Sequence, residues 1–149
     1  MFGDSIRSND VSDSSNENTT LEDFKFNLIG EYFLNDDGEV DRSYNLDKLS
    51  DRNRLVYLFV LENKVKYVGS TKRGYKRPLK YYININKKNK FRKVHSSLKE
   101  ILDSGRKVQV YARVFEGVKI EFEGLSLNPF LAYEEALIDK FKPDWNVEK

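Results

Sequence analysis

The sequence of 149 residues contains no cysteine and a single histidine, His95. The absence of cysteine excludes a disulfide scaffold, a cysteine-ligated zinc site and thiol catalysis. One histidine excludes a metal site built from several imidazoles. No apolar run approaches the roughly 20 residues that a helix needs to cross a bilayer, and residues 1–10 lack the apolar stretch of a signal peptide. These absences predict a soluble, cytoplasmic protein with no membrane partner.

The composition is that of one folded domain. Hydrophobic residues make up 39% of the chain and aromatic residues 13%, which is enough apolar surface for a core. Residues 1–22 are rich in Ser, Asn, Asp and Thr and are predicted to be a disordered tail. Residues 23–54 then form an N-terminal extension, and residues 55–149 form the main domain.

Acidic side chains are scarce in the middle of the sequence. The net charge is only +2, but residues 1–54 carry 13 acidic and 6 basic side chains, whereas residues 55–149 carry 11 and 20. Between Asn63 and Lys99 there are 13 Lys and Arg and neither Asp nor Glu. A basic block of this length, interleaved with Tyr and Phe, favours a surface for a polyanion over an ordinary solvated face.

Alternating and β-branched runs predict five strands. Residues 24–34 and 39–46 are separated by a turn and read as a hairpin. Residues 55–61 and 65–70 form a second antiparallel hairpin, in which Gly69 allows a close approach of backbone or ligand. The clean alternation of residues 107–115 predicts another strand.

Helical periodicity appears in three places. The predicted helices cover roughly residues 75–85, with Pro78 in the first turn, residues 91–103, and residues 129–141 behind an Asn128 cap. The expected architecture is therefore α+β, with a small three-stranded antiparallel sheet flanked by helices and an N-terminal β-hairpin extension.

Four residues near the second hairpin recur at regular spacings. Tyr57 and Tyr67 stand ten residues apart, Arg77 follows by ten more, and Tyr81 follows Arg77 by four, on the same helix face. Each has a structural explanation when taken alone, because strand tyrosines are usually half-buried packing residues and helix arginines are usually solvated. The whole set, together with a distant glutamate and asparagine, is less easily explained by packing.

The pattern resembles the GIY-YIG nuclease family over about residues 55–147. Val56-Tyr57 stands where the family has the Ile-Tyr of its first triad, and Tyr67-Val68-Gly69 is a permitted form of the second. Arg77 matches the family's helix arginine. The glycine of the first triad is replaced by Leu55, and Tyr81 stands where many members have histidine.

The last helix carries the remaining matches. Glu134 corresponds to the family's glutamate, because this residue, and not Glu135, keeps the spacing to Pro143 and to the terminal asparagine, Asn146. Within the family the likeness is greatest to phage endonuclease II and to stand-alone restriction endonucleases. The segments that support this are Lys80-Tyr81-Tyr82, His95 to Glu100, Val110 to Arg113 and Trp145-Asn146.

The resemblance implies hydrolysis of phosphodiester bonds in double-stranded DNA with Mg²⁺, for which Mn²⁺ substitutes. It casts Glu134 as the metal ligand, Arg77 as the group that grips the phosphate and Tyr57 as the acceptor of the proton from water. Tyr67 and Tyr81 orient this network. Asn146 is expected to fix the Glu134 end of the site.

Further residues are candidates with weaker support. His95 and Lys90 are candidates for the site, although a lone histidine near a helix face is more often a DNA contact or a packing residue. Trp145 is expected to be a core anchor. Eight basic residues are expected to bind backbone phosphates: Lys72, Arg73, Lys76, Lys80, Lys87, Lys88, Arg92 and Lys93.

Three other functions are consistent with the same residues. The first is a structure-specific nickase, the second is a DNA-binding module that has lost catalysis, and the third is an α+β scaffold with a basic face. Because one site of this family cuts one strand, cleavage of both strands predicts a homodimer or homotetramer.

Overall fold

The computed structural model describes residues 21, 23–44, 53–79, 82 and 93–146. Within these ranges the chain forms seven strands and three helices. They are β1 (Asn27–Leu34), β2 (Val40–Tyr44), β3 (Leu55–Leu61), β4 (Lys64–Thr71), α1 (Lys76–Leu79), α2 (Lys93–Asp103), β5 (Val108–Val114), β6 (Ile120–Phe122), β7 (Leu125–Leu127) and α3 (Phe130–Phe141). The predicted tail, apart from Leu21, lies outside the described residues.

The main sheet has five antiparallel strands in the order β2-β1-β5-β3-β4, and the expectation of a three-stranded sheet is wrong. The predicted N-terminal hairpin is present as β1 and β2, but β1 also pairs with β5, with Tyr32 opposite Val108. The alternation of apolar and polar residues in β5 predicts which side chains face the core. It does not predict whether a second strand pairs with the other edge of β5. The extension therefore continues the sheet of the main domain.

Strand β3 lies between β5 and β4 in this sheet. All seven of its residues are buried, because β4 and β5 pair with its two edges and helices cover its two faces. Tyr57 and Phe59 face α2, and Val56 and Leu58 face α3. Neighbouring residues of a strand point to opposite faces, so this arrangement follows directly from the apolar run.

The helices follow the predictions in the residues that are described. Helix α2 buries Val94, Leu98 and Leu102, and it ends at Asp103; the following Gly105 has a φ of 88°, the left-handed conformation typical after a helix C-terminus. In α1 only Lys76–Leu79 is described as a helix; Tyr75 lies in the turn before it, and the other residues of the predicted 75–85 helix, except Tyr82, lie outside the described residues. None of the described helices is long and apolar enough to cross a membrane.

A small hairpin, β6–β7, was not predicted. Its turn at Glu123 and Gly124 has positive φ at both residues, 53° and 80°, as a tight two-residue turn requires. Ile120 pairs with Leu127 and Phe122 with Leu125, which puts these four side chains on one face. All four are between 40 and 62% exposed. The hairpin therefore presents an apolar face that no described residue covers.

Candidate active site

The β3–β4 hairpin brings the two predicted tyrosines together. Tyr57 is paired with Gly69, and Tyr67 with Phe59, so that both tyrosine side chains lie on the α2 face. Their ring centroids are 6.1 Å apart. Tyr57 and Tyr67 are both buried, and they form one aromatic cluster with Phe59.

Gly69 makes room for Tyr57. A Cβ at this position would lie 2.6 Å from Cζ and 2.7 Å from the hydroxyl oxygen of Tyr57, and 2.9 Å from a ring carbon of Tyr67. Real Cβ atoms do not come so close to rigid rings, so the glycine of this triad is a steric requirement. The sequence predicted a close approach here, and the ring of Tyr57 is what approaches.

Tyr82 completes the aromatic cluster. Its hydroxyl oxygen is 3.0 Å from that of Tyr57, and its ring centroid lies 5.0 Å from the rings of both Phe59 and His95. The helical spacing predicted a site role for the neighbouring Tyr81, because Tyr81 follows Arg77 by four residues and Tyr82 follows it by five. Tyr81 lies outside the described residues.

The environment of Tyr57 holds its hydroxyl in the protonated form. Burial raises the pKa of Tyr57 well above its usual range, and neighbouring Tyr67 raises it further. The hydrogen bond with Tyr82 and the charge and hydrogen bond of Arg77 act in the opposite direction and are outweighed. Arg77 thus lies beside the Tyr57 hydroxyl, but the phenolate needed for proton abstraction is disfavoured.

Glu134 reaches β4 from the opposite side of the sheet. It projects from α3, whose buried Phe130 and Leu137 pack on the face of the sheet that includes Val56 and Val68. Its Oε1 accepts a hydrogen bond of 2.7 Å from the hydroxyl of Ser70. Ser70 had not been selected from the sequence, because a serine after a strand glycine has no periodicity or charge to mark it.

Asn146 is tied to the same strand. Its Oδ1 accepts from the backbone N–H of Val68, and its Nδ2 donates to the carbonyl of Val68, each at 3.0 Å. The adjacent Trp145 is buried and donates its backbone N–H to the carbonyl of Lys66 at 2.9 Å. The core position of Trp145 agrees with the sequence prediction, and Asn146 holds the strand that carries the site.

The predicted basic residues are only partly described. Lys72 and Arg73 follow directly after β4, and Lys76 and Lys93 begin α1 and α2; all four are exposed. The other four predicted basic residues lie outside the described residues; they are Lys80, Lys87, Lys88 and Arg92. The site candidate Lys90 also lies outside them. The described cations therefore include two that flank the end of β4 at which Gly69 and Ser70 stand.

Among the described residues no three His, Asp or Glu side chains converge as a ready-made metal cluster. Glu134 is the carboxylate at the site, and it is half-buried against a hydroxyl. Carboxylate oxygen is the donor that Mg²⁺ prefers, and this ion commonly uses one or two carboxylates and completes its shell with water and substrate phosphate. The residues present fit such an ion.

Comparisons with known proteins show which proteins this chain is similar to. No protein-family model matches the sequence. The chain is 32% identical to Endonuclease II of Enterobacteria phage T4 over 120 residues, which are 74% of this chain and 85% of that protein.

Two solved structures share the fold. One is a mutant of bacteriophage T4 EndoII, with a TM-score of 0.67 at 21% identity, covering 87% of this chain and 97% of the other. The second is a restriction endonuclease in complex with product DNA, with a TM-score of 0.50 at 21% identity, covering 83% of this chain and 76% of the other. On this combination of sequence identity and architecture, the chain belongs to the endonuclease II family of GIY-YIG nucleases.

Proposed function

We propose that this chain is an endonuclease that hydrolyses phosphodiester bonds of double-stranded DNA with a divalent metal ion, Mg²⁺ in the first place and Mn²⁺ as a substitute. The observation that carries the proposal is that two consecutive residues of β4 contact Tyr57 and Glu134. Gly69 receives Tyr57, and Ser70 holds Glu134. Membership in the endonuclease II family supports the same activity.

Glu134 is the residue that would hold the metal. When bound, such an ion supplies Lewis-acid charge for the phosphate and for the leaving oxygen. The α3 helix and the Ser70 hydroxyl set the position of the carboxylate beside the end of β4.

Arg77 binds the scissile phosphate. Its planar guanidinium can donate two parallel hydrogen bonds to phosphate oxygens and remains charged at any working pH. Arg77 is partly buried and lies next to the Tyr57 hydroxyl. A phosphate that engages Arg77 is therefore brought to the aromatic cluster.

Tyr57 orients the attacking water. Because burial raises the pKa of Tyr57, its hydroxyl is neutral at physiological pH and acts by hydrogen bonding. Tyr82 and Tyr67 hold this hydroxyl in place, and Asn146 fixes β4 beneath it. The proton-abstracting role implied by the family resemblance is available to Tyr57 only if bound substrate or metal lowers its pKa.

Exposed cations supply affinity for the duplex. Lys72, Arg73, Lys76 and Lys93 are positioned to neutralise backbone phosphates, and the basic residues between 80 and 92 add to the same charge. Binding through phosphates is independent of base sequence and weakens steeply with salt. We expect this activity inside the cell, in the cytoplasm where DNA is accessible.

Cleavage of both strands requires two sites, so we propose a homodimer or homotetramer. The apolar face of the β6–β7 hairpin supports self-association. Of the seven large apolar side chains that are exposed among the described residues, five lie between Ile120 and Leu131. Acidic Glu121, on the other face of the hairpin, and Glu123, in its turn, disfavour DNA as the partner, whereas a second copy of the chain covers the apolar face without bringing a polyanion close to these carboxylates.

The test is cleavage of supercoiled plasmid by purified protein with Mg²⁺, with EDTA, and by a Glu134→Ala variant. Glu135→Ala is the matched control, since Glu135 is the adjacent, exposed acid on α3. Linear product that requires Mg²⁺ and Glu134 but not Glu135 supports the proposal. Nicked circles alone support the nickase alternative, and DNA binding without cutting in any divalent metal supports the inactive module.

A further inference from the structure

Three alternate residues of β4, Lys66, Val68 and Ser70, form hydrogen bonds with α3 or with the residues that follow it. Lys66 accepts a backbone hydrogen bond from Trp145 and forms an ion pair of 3.1 Å with Asp144. Two positions along, both backbone groups of Val68 bind the Asn146 amide. Two positions further, the contact is made by a side chain, from Ser70 to Glu134. Ser70 is therefore the last of three β4 residues that hydrogen-bond to this part of the chain, and it is the one that contacts the carboxylate of Glu134.

The Ser70 hydroxyl removes freedom from a flexible side chain. A glutamate on a helix surface has three rotatable bonds, and ordering them costs free energy. A hydrogen bond from a hydroxyl to an ionised carboxylate is short and stronger than a neutral one, and the 2.7 Å separation of Ser70 and Glu134 is in this range. The bond selects one orientation of the Glu134 carboxylate before any ligand arrives.

The position of Ser70 in the strand gives this bond a second consequence. Ser70 pairs with Val56, and the preceding Gly69 pairs with Tyr57. Adjacent strand residues point to opposite faces of a sheet. Gly69, which contacts Tyr57 on the α2 face, is therefore joined by a single peptide unit to Ser70, which binds Glu134 on the α3 face. The separation between the water-orienting hydroxyl and the metal-binding carboxylate is thereby set by rigid backbone.

We propose that Ser70 is a positioning residue that orients the Glu134 carboxylate for the divalent metal, an inference that rests on the proposed function. Ser70 acts through Glu134 and does not itself contact the metal or the phosphate. Outer partners of this kind typically change metal affinity or activity by about 10- to 100-fold when removed. Loss of the hydroxyl removes this constraint on the orientation of the carboxylate.

The test compares Ser70→Ala with Ser70→Thr, which retains a hydroxyl, and with Ser126→Ala, an exposed serine on the β6–β7 hairpin. Two quantities are measured on each protein. The first is the Mg²⁺ concentration that gives half-maximal plasmid cleavage. The second is Mn²⁺ binding to the free protein, followed by electron paramagnetic resonance of the free ion. Thermal unfolding of each variant reports on folding.

We expect Ser70→Ala to weaken Mn²⁺ binding and to raise the half-maximal Mg²⁺ concentration by about 10-fold or more, while DNA binding in EDTA is unchanged. Ser70→Thr restores both quantities to within a few-fold, and Ser126→Ala behaves as the unmodified protein. Unaltered Mn²⁺ binding in Ser70→Ala overturns the proposal, whether or not its melting temperature falls.

The Glu134→Ala variant separates this proposal from the proposed function. If Glu134→Ala is inactive while Ser70→Ala binds Mn²⁺ and cleaves normally, the endonuclease stands and the role of Ser70 is wrong. If Glu134→Ala still cleaves, the assignment of the metal ligand fails and the role of Ser70 fails with it.

Discussion

Arg113 and Tyr133 join the sheet to the helix that carries Glu134. Nη1 of Arg113 donates to the Tyr133 hydroxyl at 3.1 Å and to the carbonyl of Phe24 at 3.2 Å. The same guanidinium lies 5.1 Å from the ring centroid of Tyr133 and 4.9 Å from that of Phe115. One side chain thus holds β5, α3 and the segment before β1 together.

We predict that Arg113→Lys lowers the free energy of unfolding by about 2 kcal/mol, because lysine lacks the planar face and the fork of donors that arginine uses here. Equilibrium unfolding in urea measures the change. Arg106→Lys is the control, since the contacts of the Arg106 side chain, an ion pair of 3.6 Å with Glu62 and a hydrogen bond of 3.2 Å to Ser104, lie at the surface and the change should alter stability by less than about 0.5 kcal/mol. Equal stabilities of the two variants would contradict the role of Arg113.

We predict that Gly69→Ala displaces Tyr57 and abolishes most cleavage. The added methyl group would meet two rigid rings, and overpacking of this kind typically costs about 1 to 3 kcal/mol. Gly124→Ala is the matched control, because a Cβ there meets no atom within 4 Å. Its positive φ alone costs about 1 to 2 kcal/mol, and cleavage by the folded protein should persist. A Gly69→Ala protein with normal cleavage would rule out the close approach.

We predict that Tyr57→Phe lowers the single-turnover cleavage rate by about 100-fold or more, because the hydroxyl that orients water is lost. The fold should survive, since the substitution removes only the hydroxyl's hydrogen bonds with Tyr82 and Arg77, at about 1 kcal/mol each. Tyr44→Phe, on exposed Tyr44 of β2, is the control. Near-normal single-turnover cleavage by Tyr57→Phe would sink the assignment.

We predict that the free energy of unfolding falls as pH rises above about 10, the usual tyrosine pKa. Burial raises the pKa of Tyr32, Tyr57 and Tyr82 in the folded protein, so the unfolded chain loses protons first and gains stability relative to the folded state. Each of these tyrosines makes the free energy of unfolding fall by about a further 1.4 kcal/mol per pH unit. Urea unfolding at pH 8, 10 and 11 measures it.

The variant that tests this pH dependence is Tyr32→Phe, which removes a buried phenol hydrogen-bonded to the carbonyl of Pro78 at 2.6 Å. It should lose some stability at pH 8 and show a shallower fall at alkaline pH. Tyr44→Phe should leave the slope unchanged, because Tyr44 is 55% exposed. Identical slopes in all three proteins would show that these tyrosines do not control alkaline unfolding.

We predict that a Phe122→Ser, Leu125→Ser double variant is monomeric in sedimentation velocity. Both side chains belong to the apolar face of the β6–β7 hairpin, whose burial is the driving force for the proposed self-association. Its plasmid product should shift from linear to nicked. Glu121→Gln, on the opposite face, is the control. A double variant that sediments like the unmodified protein would exclude this face as the interface.

The strands that carry the site were predictable because their signals are local. The run from Leu55 to Leu61 is β-branched and aromatic throughout, and Tyr57 and Tyr67 stand at a hairpin spacing. The pairing of β1 with β5 was not predictable, since it joins residues about 80 positions apart and depends on which sheet edge is open. The β6–β7 hairpin was missed because Glu-Gly is a weaker turn signal than Asn-Gly.

Tyr82 and Ser70 show a different limit of sequence reasoning. Helical periodicity places Tyr81 and Arg77 on one face, but α1 is described only as far as Leu79, and the hydroxyl beside Tyr57 belongs to Tyr82. Ser70 has no charge and no periodic partner. Its role follows from a contact with Glu134, 64 residues away, which only the packing of α3 on β4 creates.

Strand β4 stands at the end of the five-stranded sheet, where an open row of backbone groups would recruit strands from other molecules. The Asn146 amide bonds to Val68 as one peptide unit of a neighbouring strand would, and the Trp145 N–H continues the row at Lys66. The chain therefore caps its own sheet edge. Edge-to-edge aggregation through the strand that carries the site is prevented by the same residues that hold that strand in position.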